Sequence, residues 1–380
     1  MKIDNFKVED WFNEFEKQAQ YDMADTCVES LSISELLDIT GNKEQHLNNI
    51  MDKKLNYGDI QGSERLKTAI KSLYENKSFP ITITHGAIGA NNLVMQALIE
   101  QGDEVISIIP TYQQHYSIPK SLGANVKILF LKEENNWLPS VSELKNLITK
   151  NTKLICMNNP NNPTGSVIPE NIFREIIELA KENNTYILCD EVYRGLEHNG
   201  KISKSVIDMY EKGISTGSMS KVFSLAGLRL GWIAAPKEVM EKIIIHREYN
   251  TISVSILDDY FSALAIENKD KIIKRNLEII LRGKQILTEW INNEPNISWT
   301  EPQGGTTALI KYDLPNYDSV NLCKKLLADT GVLFLPGSTL EMDGYLRIGY
   351  CSDVKKLKTG LDKFSKWIKI IKDGYEKKKN

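Results

Sequence analysis

The sequence predicts an α/β protein: a large domain in which a mostly parallel seven-stranded sheet lies between helices, joined to a smaller α+β domain. Three observations predict it. From Ile81 onward, seven short apolar runs alternate with segments of helical periodicity. These runs are continuously hydrophobic rather than alternating, so both faces of each strand must be covered, as in a parallel sheet. The chain's 380 residues, 41% hydrophobic and 26% charged, have an ordinary globular composition and a length that suggests two domains.

In chain order, residues 7–18 set Trp11, Phe12 and Phe15 among charges and read as an amphipathic helix. An irregular stretch over 21–30 and a short helix over 34–37 follow. The loop Leu55-Asn56-Tyr57-Gly58-Asp59-Ile60-Gln61-Gly62 leads into a helix over 63–74 with Ser63 as its N-cap. The seven strands fall at 81–85, 104–109, 126–131, 153–157, 186–189, 213–218 and 231–235. Between them, 91–101 reads as a helix closed by Gly102, and 169–183 gathers Ile172, Ile176, Ile177 and Ala180 on one helical face. From 236 to 294 the pattern is helical, and Ile273, Leu277, Ile280, Leu287 and Ile291 form a stripe long enough to bridge two domains. Strands at 307–312, 332–335 and 345–350 then mix with helices, the last over 352–373. The expected division is an N-terminal segment, 1–48, that packs with the small domain; a large domain, 49–275; and a small C-terminal domain, 276–380.

Composition excludes several classes of partner. Net charge is −3, and lysine and arginine are spread along the chain, so no basic face advertises nucleic acid or an acidic membrane. The first residues carry no apolar signal core and no run approaches the length of a membrane span, which predicts a cytoplasmic protein. Cys27, Cys156, Cys189, Cys323 and Cys351 lack metal-ligand spacing, and several fall in apolar runs, so reduced core thiols are expected and no metal site.

The chemistry gathers where strands end, the crevice in which open α/β sheets bind ligands. After the sixth strand, Ser218-Met219-Ser220-Lys221 places a lysine among small and apolar residues. Burial there would favour a neutral, nucleophilic amine able to form a Schiff base with a carbonyl compound. Arg229, between Gly227 and Gly231, offers a fixed positive charge to an anion. A lysine flanked by serines is by itself the mark of a solvated loop, so the case rests on the other segments. After the first strand, His85-Gly86-Ala87-Ile88-Gly89 opens a helix whose free amides could receive a phosphate. Tyr112, in Pro110-Thr111-Tyr112, follows the second strand and could stack on a flat ring or simply pack in the core. Asn158-Asn159-Pro160-Asn161-Asn162-Pro163-Thr164-Gly165 makes a rigid turn with amides to satisfy, and Asn162 would suit a ring hydroxyl. In Cys189-Asp190-Glu191-Val192-Tyr193, Asp190 ends a buried run where a carboxylate needs a cation. A protonated pyridine nitrogen would be one, with Tyr193 in reach of the ring oxygen.

These segments, in this order and spacing, resemble the class I and II aminotransferases of the fold type I pyridoxal-phosphate enzymes, and the likeness runs from Tyr57 to Arg347. The resemblance implies pyridoxal 5′-phosphate as cofactor, with Lys221 as its Schiff-base lysine and general base and Asp190 as partner of the pyridine nitrogen. Asn162 and Tyr193 would meet the ring oxygen, Tyr112 would stack on the ring, and Ser218, Arg229 and the backbone of Ala87 and Ile88 would hold the phosphate. Tyr57 would reach the phosphate of a neighbouring subunit, which implies a homodimer with shared active sites. Arg347 would grip the substrate carboxylate, with Asn162 beside it, because its fork matches two carboxylate oxygens.

Departures from the family fall on substrate recognition. Gly304-Gly305-Thr306-Thr307 lacks the aromatic that many relatives carry after the glycines, and Ala24-Asp25-Thr26-Cys27-Val28-Glu29 lacks a glycine pair that often lines the substrate pocket. The layout from Trp11 to Leu37 resembles the branch containing capreomycidine synthase and the pyridoxal-phosphate-dependent arginine oxidases, where Asp25 and Glu29 would be partners for a guanidinium. The leading expectation is an aminotransferase acting on an α-amino acid and a 2-oxo acid. The alternatives are an arginine oxidase or capreomycidine-synthase-like enzyme, or a C–S β-lyase. A non-catalytic cofactor-binding regulator is disfavoured because Lys221, Asp190 and Asn162 are all present.

Overall fold

The computed structural model describes residues 2–314 and 317–379, and in it the seven apolar runs form one sheet. The strand order is Ile81–His85, Leu230–Ala234, Gly213–Ser218, Tyr186–Asp190, Thr152–Asn158, Glu104–Ile109, Asn125–Phe130. All neighbours pair in parallel except Leu230–Ala234, which runs antiparallel to both of its own. The parallel strands bring the segments after Ile109, Asn158, Asp190 and Ser218 to one edge. Helices cover both faces, so Ile106, Ile155 and Ile187 on one side and Val105, Leu154, Leu188 and Ile214 on the other are fully buried.

The helix after the first strand spans Gly86–Leu98, not 91–101, and Ile99 leaves it in extended conformation. Its first turn is built of small residues that read as a turn in sequence. Gly86, at φ +66°, takes a backbone conformation that other residues rarely adopt. Gly102, at φ +91°, turns the chain after the helix rather than closing it.

A second sheet, Leu335–Pro336, Tyr345–Gly349, Thr307–Tyr312 and Ile297–Trp299, is antiparallel throughout. Helices Ser319–Thr330 and Val354–Lys379 belong to this part of the chain. The long helix Lys269–Asn292 buries Ile272, Ile280, Leu287 and Ile291. At its Gly283 an added Cβ would lie 1.8 Å from the Tyr350 carbonyl oxygen, so a side chain there has no room. Of the predicted stripe, Ile273 and Leu277 are only partly buried.

The N-terminal segment reaches the second sheet's part of the chain. Helix Lys7–Phe15 buries Val8 and Trp11, and Trp11 Nε1 donates to the Phe334 carbonyl at 3.1 Å. The stretch expected to be irregular contains a short strand, Tyr21–Asp22, in parallel register with Val332–Leu333. Two residues carry no period, so the sequence offers no sign of it. Ser63 caps the helix Glu64–Lys71 as predicted, accepting from the Leu66 amide. All five cysteines are free thiols, and no helix among the described residues is long and apolar enough to cross a membrane.

Candidate active site

The crevice at the strand ends is built around Asp190. It closes the strand Tyr186–Asp190, is buried, and accepts from Asn91 Nδ2 at 2.8 Å and the Val192 amide at 3.1 Å. Asn91, itself buried, is fixed by Thr216, whose hydroxyl donates to its Oδ1 at 2.7 Å. Burial pushes the Asp190 carboxyl above its ordinary range against these two bonds and a distant attraction to Lys221. A carboxylate so placed gains from a cation set against it.

Lys221 stands three residues past the end of Gly213–Ser218, half-buried. Its Nζ donates to Thr26 Oγ1, and Cys27 Sγ lies 3.4 Å away. The amine is not the neutral group expected from the sequence. Burial does act to lower its pKa, but Tyr193, Cys27 and Asp25 together outweigh it and hold the ammonium above its ordinary range. The sequence shows apolar neighbours of Lys221 but not the segment 25–27 laid over it.

Tyr193 is buried, and its hydroxyl has no hydrogen-bond partner. Arg347, on Tyr345–Gly349, is buried as well; its Nη1 donates to Asn162 Oδ1 at 3.3 Å and its Nη2 to the Ala24 carbonyl at 2.9 Å. Its Nε is buried without a partner, and burial lowers the pKa of the guanidinium against the pull of Tyr193, Asp25, Tyr112 and Asp22. Asn162 is oriented by its own amide, which donates to Asn158 Oδ1 at 2.6 Å. The phenol of Tyr112 donates to Glu9 Oε1 at 2.7 Å, and its ring lies 4.7 Å from that of Phe6. The first helix therefore closes over the side of Tyr112.

On the other flank, Gly231 lets the strand Leu230–Ala234 touch the start of helix Gly86–Leu98. A Cβ there would lie 2.4 Å from the Gly86 carbonyl carbon and 2.6 Å from the Ala87 amide nitrogen. A Cβ on Gly86 would meet Arg229 Nη2 at 3.1 Å, so this guanidinium lies against the N-terminal turn to which Ala87 and Ile88 belong. Arg229 takes a left-handed backbone, φ 50°, and is exposed, while Ser218 is buried on the adjacent strand end. Helix amides, a guanidinium and a hydroxyl together make an anion cradle.

Three predicted residues stand differently. Tyr57 is 77% exposed in its loop. Asp25 is exposed, its Oδ1 accepting from the Cys27 amide at 2.9 Å, and Glu29 is exposed, with its carbonyl bound by Arg275. Sequence reasoning missed Thr26, Cys27, Asn91, Thr216 and Glu9. None of them left a trace: Asn91 is one of three amides, with Asn92 and Gln96, on the helix Gly86–Leu98.

A mostly parallel sheet whose strand ends gather a lysine, a buried aspartate and an anion cradle is the arrangement of a fold type I pyridoxal-phosphate enzyme. Residues 30–364 match the family described as aminotransferase class I and II, and the chain belongs to that family. A solved pyridoxal-phosphate-dependent aminotransferase from Streptococcus suis 89-1591 superposes with a TM-score of 0.94 at 40% identity, covering 98% of this chain and 99% of that one. Capreomycidine synthase of Streptomyces vinaceus is 29% identical over 360 residues, 93% of this chain and 91% of the relative. Aspartate aminotransferase of Pyrococcus horikoshii is 29% identical over 291 residues, 75% of this chain and 74% of the relative.

The residues present fit pyridoxal phosphate. The unpartnered Tyr193 hydroxyl suits a ring oxygen, the buried Asp190 suits a protonated ring nitrogen, and the cradle at Gly86, Ala87 and Arg229 suits a phosphate.

Proposed function

We propose that this aminotransferase moves the α-amino group of an amino acid to a 2-oxo acid through Lys221, in an active site completed by a second copy of the chain. When bound, pyridoxal phosphate supplies an aldehyde for the lysine amine and a ring that draws electrons from the substrate α-carbon. Lys221 would anchor it through Nζ and, as a free amine, would take the substrate α-proton and give it back. Asp190 would keep the ring nitrogen protonated, and Asn91 and Thr216 keep Asp190 in place. Asn162 and Tyr193 would hold the ring oxygen, Tyr112 would stack against the ring, and Ser218, Arg229 and the amides of Ala87 and Ile88 would hold the phosphate.

The observation that carries this reading is Arg347. It is a buried guanidinium beside the Lys221 crevice, bound among the described residues to an amide oxygen and a backbone carbonyl, with Nε left unpartnered there. Such a group is poised for a carboxylate. Arg347→Ala should raise KM for α-amino acids by about 10- to 100-fold, the equivalent of a charge-assisted bond of roughly 1.5–3 kcal/mol. Amines without a carboxylate should lose much less, and steady-state kinetics with both kinds of substrate separates the cases. Equal losses would remove Arg347 from substrate binding.

Tyr57 supports the two-chain site. It is exposed, and with Met51 (81% exposed), Leu55 (79%) and Tyr249 (93%) it leaves large apolar side chains bare on segments 47–60 and 245–252. A second copy would cover them. Sedimentation should find a dimer, and a monomer with full activity would contradict the shared site. The reading also takes 1–48, 49–275 and 276–380 as the N-terminal segment, the cofactor-binding domain and the small domain, and the cytoplasm as the place of action.

One observation favours a second reading, in which the substrate is arginine or a related amino acid. Asp25 is an exposed carboxylate that acts electrostatically on both Lys221 and Arg347. A guanidinium, charged even when buried, would find its partner there.

A further inference from the structure

We propose that Thr26 is a positioning residue of the reaction: its hydroxyl holds the Lys221 amine in place while that amine carries a proton. The proposal rests on the reading of Lys221 as the reacting lysine, and its grounds are the route by which the chain delivers Thr26.

After pairing with Val332–Leu333 through Tyr21–Asp22, the chain crosses the crevice as a strap tied at four points. The Met23 carbonyl accepts from the Gly349 amide at 2.8 Å. The Met23 amide donates to the Leu333 carbonyl at 2.8 Å, and the Ala24 carbonyl accepts from Arg347 Nη2 at 2.9 Å. The Thr26 carbonyl accepts from Thr306 Oγ1 at 2.7 Å. Gly349 is part of the fit, because a Cβ there would lie 1.7 Å from the Asp25 carbonyl oxygen. The strap is seated on the strand that carries Arg347 and on the loop after Gly305, and it brings Thr26 Oγ1 to Lys221 Nζ across 195 positions of sequence.

The chemistry of the two neighbours decides between them. Cys27 Sγ is 3.4 Å from the amine and sulfur is a weak acceptor, so it fixes the position of the amine less well than an oxygen does. A threonine hydroxyl has two acceptor lone pairs and one proton. It accepts from the ammonium and can turn to donate to the neutral amine, so one rotor serves both protonation states of Lys221 at one position. A general base must take and return its proton within hydrogen-bond reach of fixed atoms, and a free four-carbon lysine stem would otherwise wander.

Thr26→Val keeps the shape and removes the hydroxyl, while all four ties of the strap survive because none uses the Thr26 side chain. The other groups facing the amine, Tyr193, Cys27, Asp25 and Asp190, are unchanged. The first readout needs no turnover. In cofactor-free protein, the pH dependence of Lys221 acetylation by acetic anhydride is followed by peptide mass spectrometry against exposed Lys237. The hydroxyl bonds the charged amine more strongly than the neutral one, so its loss should lower the Lys221 midpoint by roughly half to one pH unit, the difference between a charged and a neutral hydrogen bond, and Thr26→Ser should restore it. In the loaded enzyme Thr26→Val should lower kcat about tenfold with KM little changed, again restored by serine. An unchanged midpoint in Thr26→Val, or a serine variant that behaves as valine does, overturns the proposal. Because acetylation is read without substrate, its failure is distinct from failure of the aminotransferase reading, which Lys221→Ala tests by itself.

Discussion

Lys221→Ala should lose at least about 10⁴-fold in kcat, because one side chain supplies both the covalent anchor and the base, and either role alone is worth orders of magnitude. The fold should survive. Lys221 is half-buried, and its side chain bonds to Thr26 and Cys27, both on a strap held by other atoms. The phosphate cradle at Gly86, Ala87 and Arg229 is untouched, so pyridoxal phosphate should still be retained by the variant, without its covalent link. Steady-state kinetics, circular dichroism and mass spectrometry after borohydride reduction check the three statements. Substantial transamination by the variant would remove Lys221 from the chemistry.

Asp190→Asn should come next in size, lowering kcat on the order of 100-fold or more, as removal of a buried group that stabilises developing charge does. The substitution is close in shape and keeps an oxygen for the Asn91 bond, so it removes the charge and, because the other oxygen becomes an NH2, the bond from the Val192 amide. Burial holds the Asp190 carboxyl above its ordinary range, a cost to the folded protein that a cation against it relieves. The wild type should therefore gain more in Tm on binding pyridoxal phosphate than the variant does. Equal gains and equal kcat would show that Asp190 does not face the cofactor.

Most of the scaffold was legible because a buried parallel strand writes itself as an unbroken apolar run. The observed strands Asn125–Phe130 and Leu230–Ala234 each lie one residue from the predicted 126–131 and 231–235. The candidate residues follow those runs directly, which is why Asp190, Asn162, Ser218 and Lys221 stood out. What stayed hidden depends on distant segments meeting. Tyr21–Asp22 pairs with a strand more than three hundred positions away, and the helix Lys43–Met51 has no buried face to give it a period. The same distance hid Thr26 and Cys27, and with them the electrostatics of Lys221: its own neighbours are small and apolar, whereas the strap brings acidic groups to it. Asn91 and Thr216 are unremarkable in sequence and matter only through the bond each passes toward Asp190.

The central claim, transfer of an amino group through Lys221, is tested most directly by a half reaction. Purified holoenzyme is given one amino acid at a time, arginine included, without any 2-oxo acid, while oxo-acid product, free ammonia and dissolved oxygen are followed together. The account predicts one equivalent of oxo acid per chain and then a stop, with no ammonia released and no oxygen consumed, and a restart when a 2-oxo acid is added. Continuing release of ammonia would mean elimination, and oxygen uptake with arginine would mean oxidation; either one, in place of the stop, contradicts it.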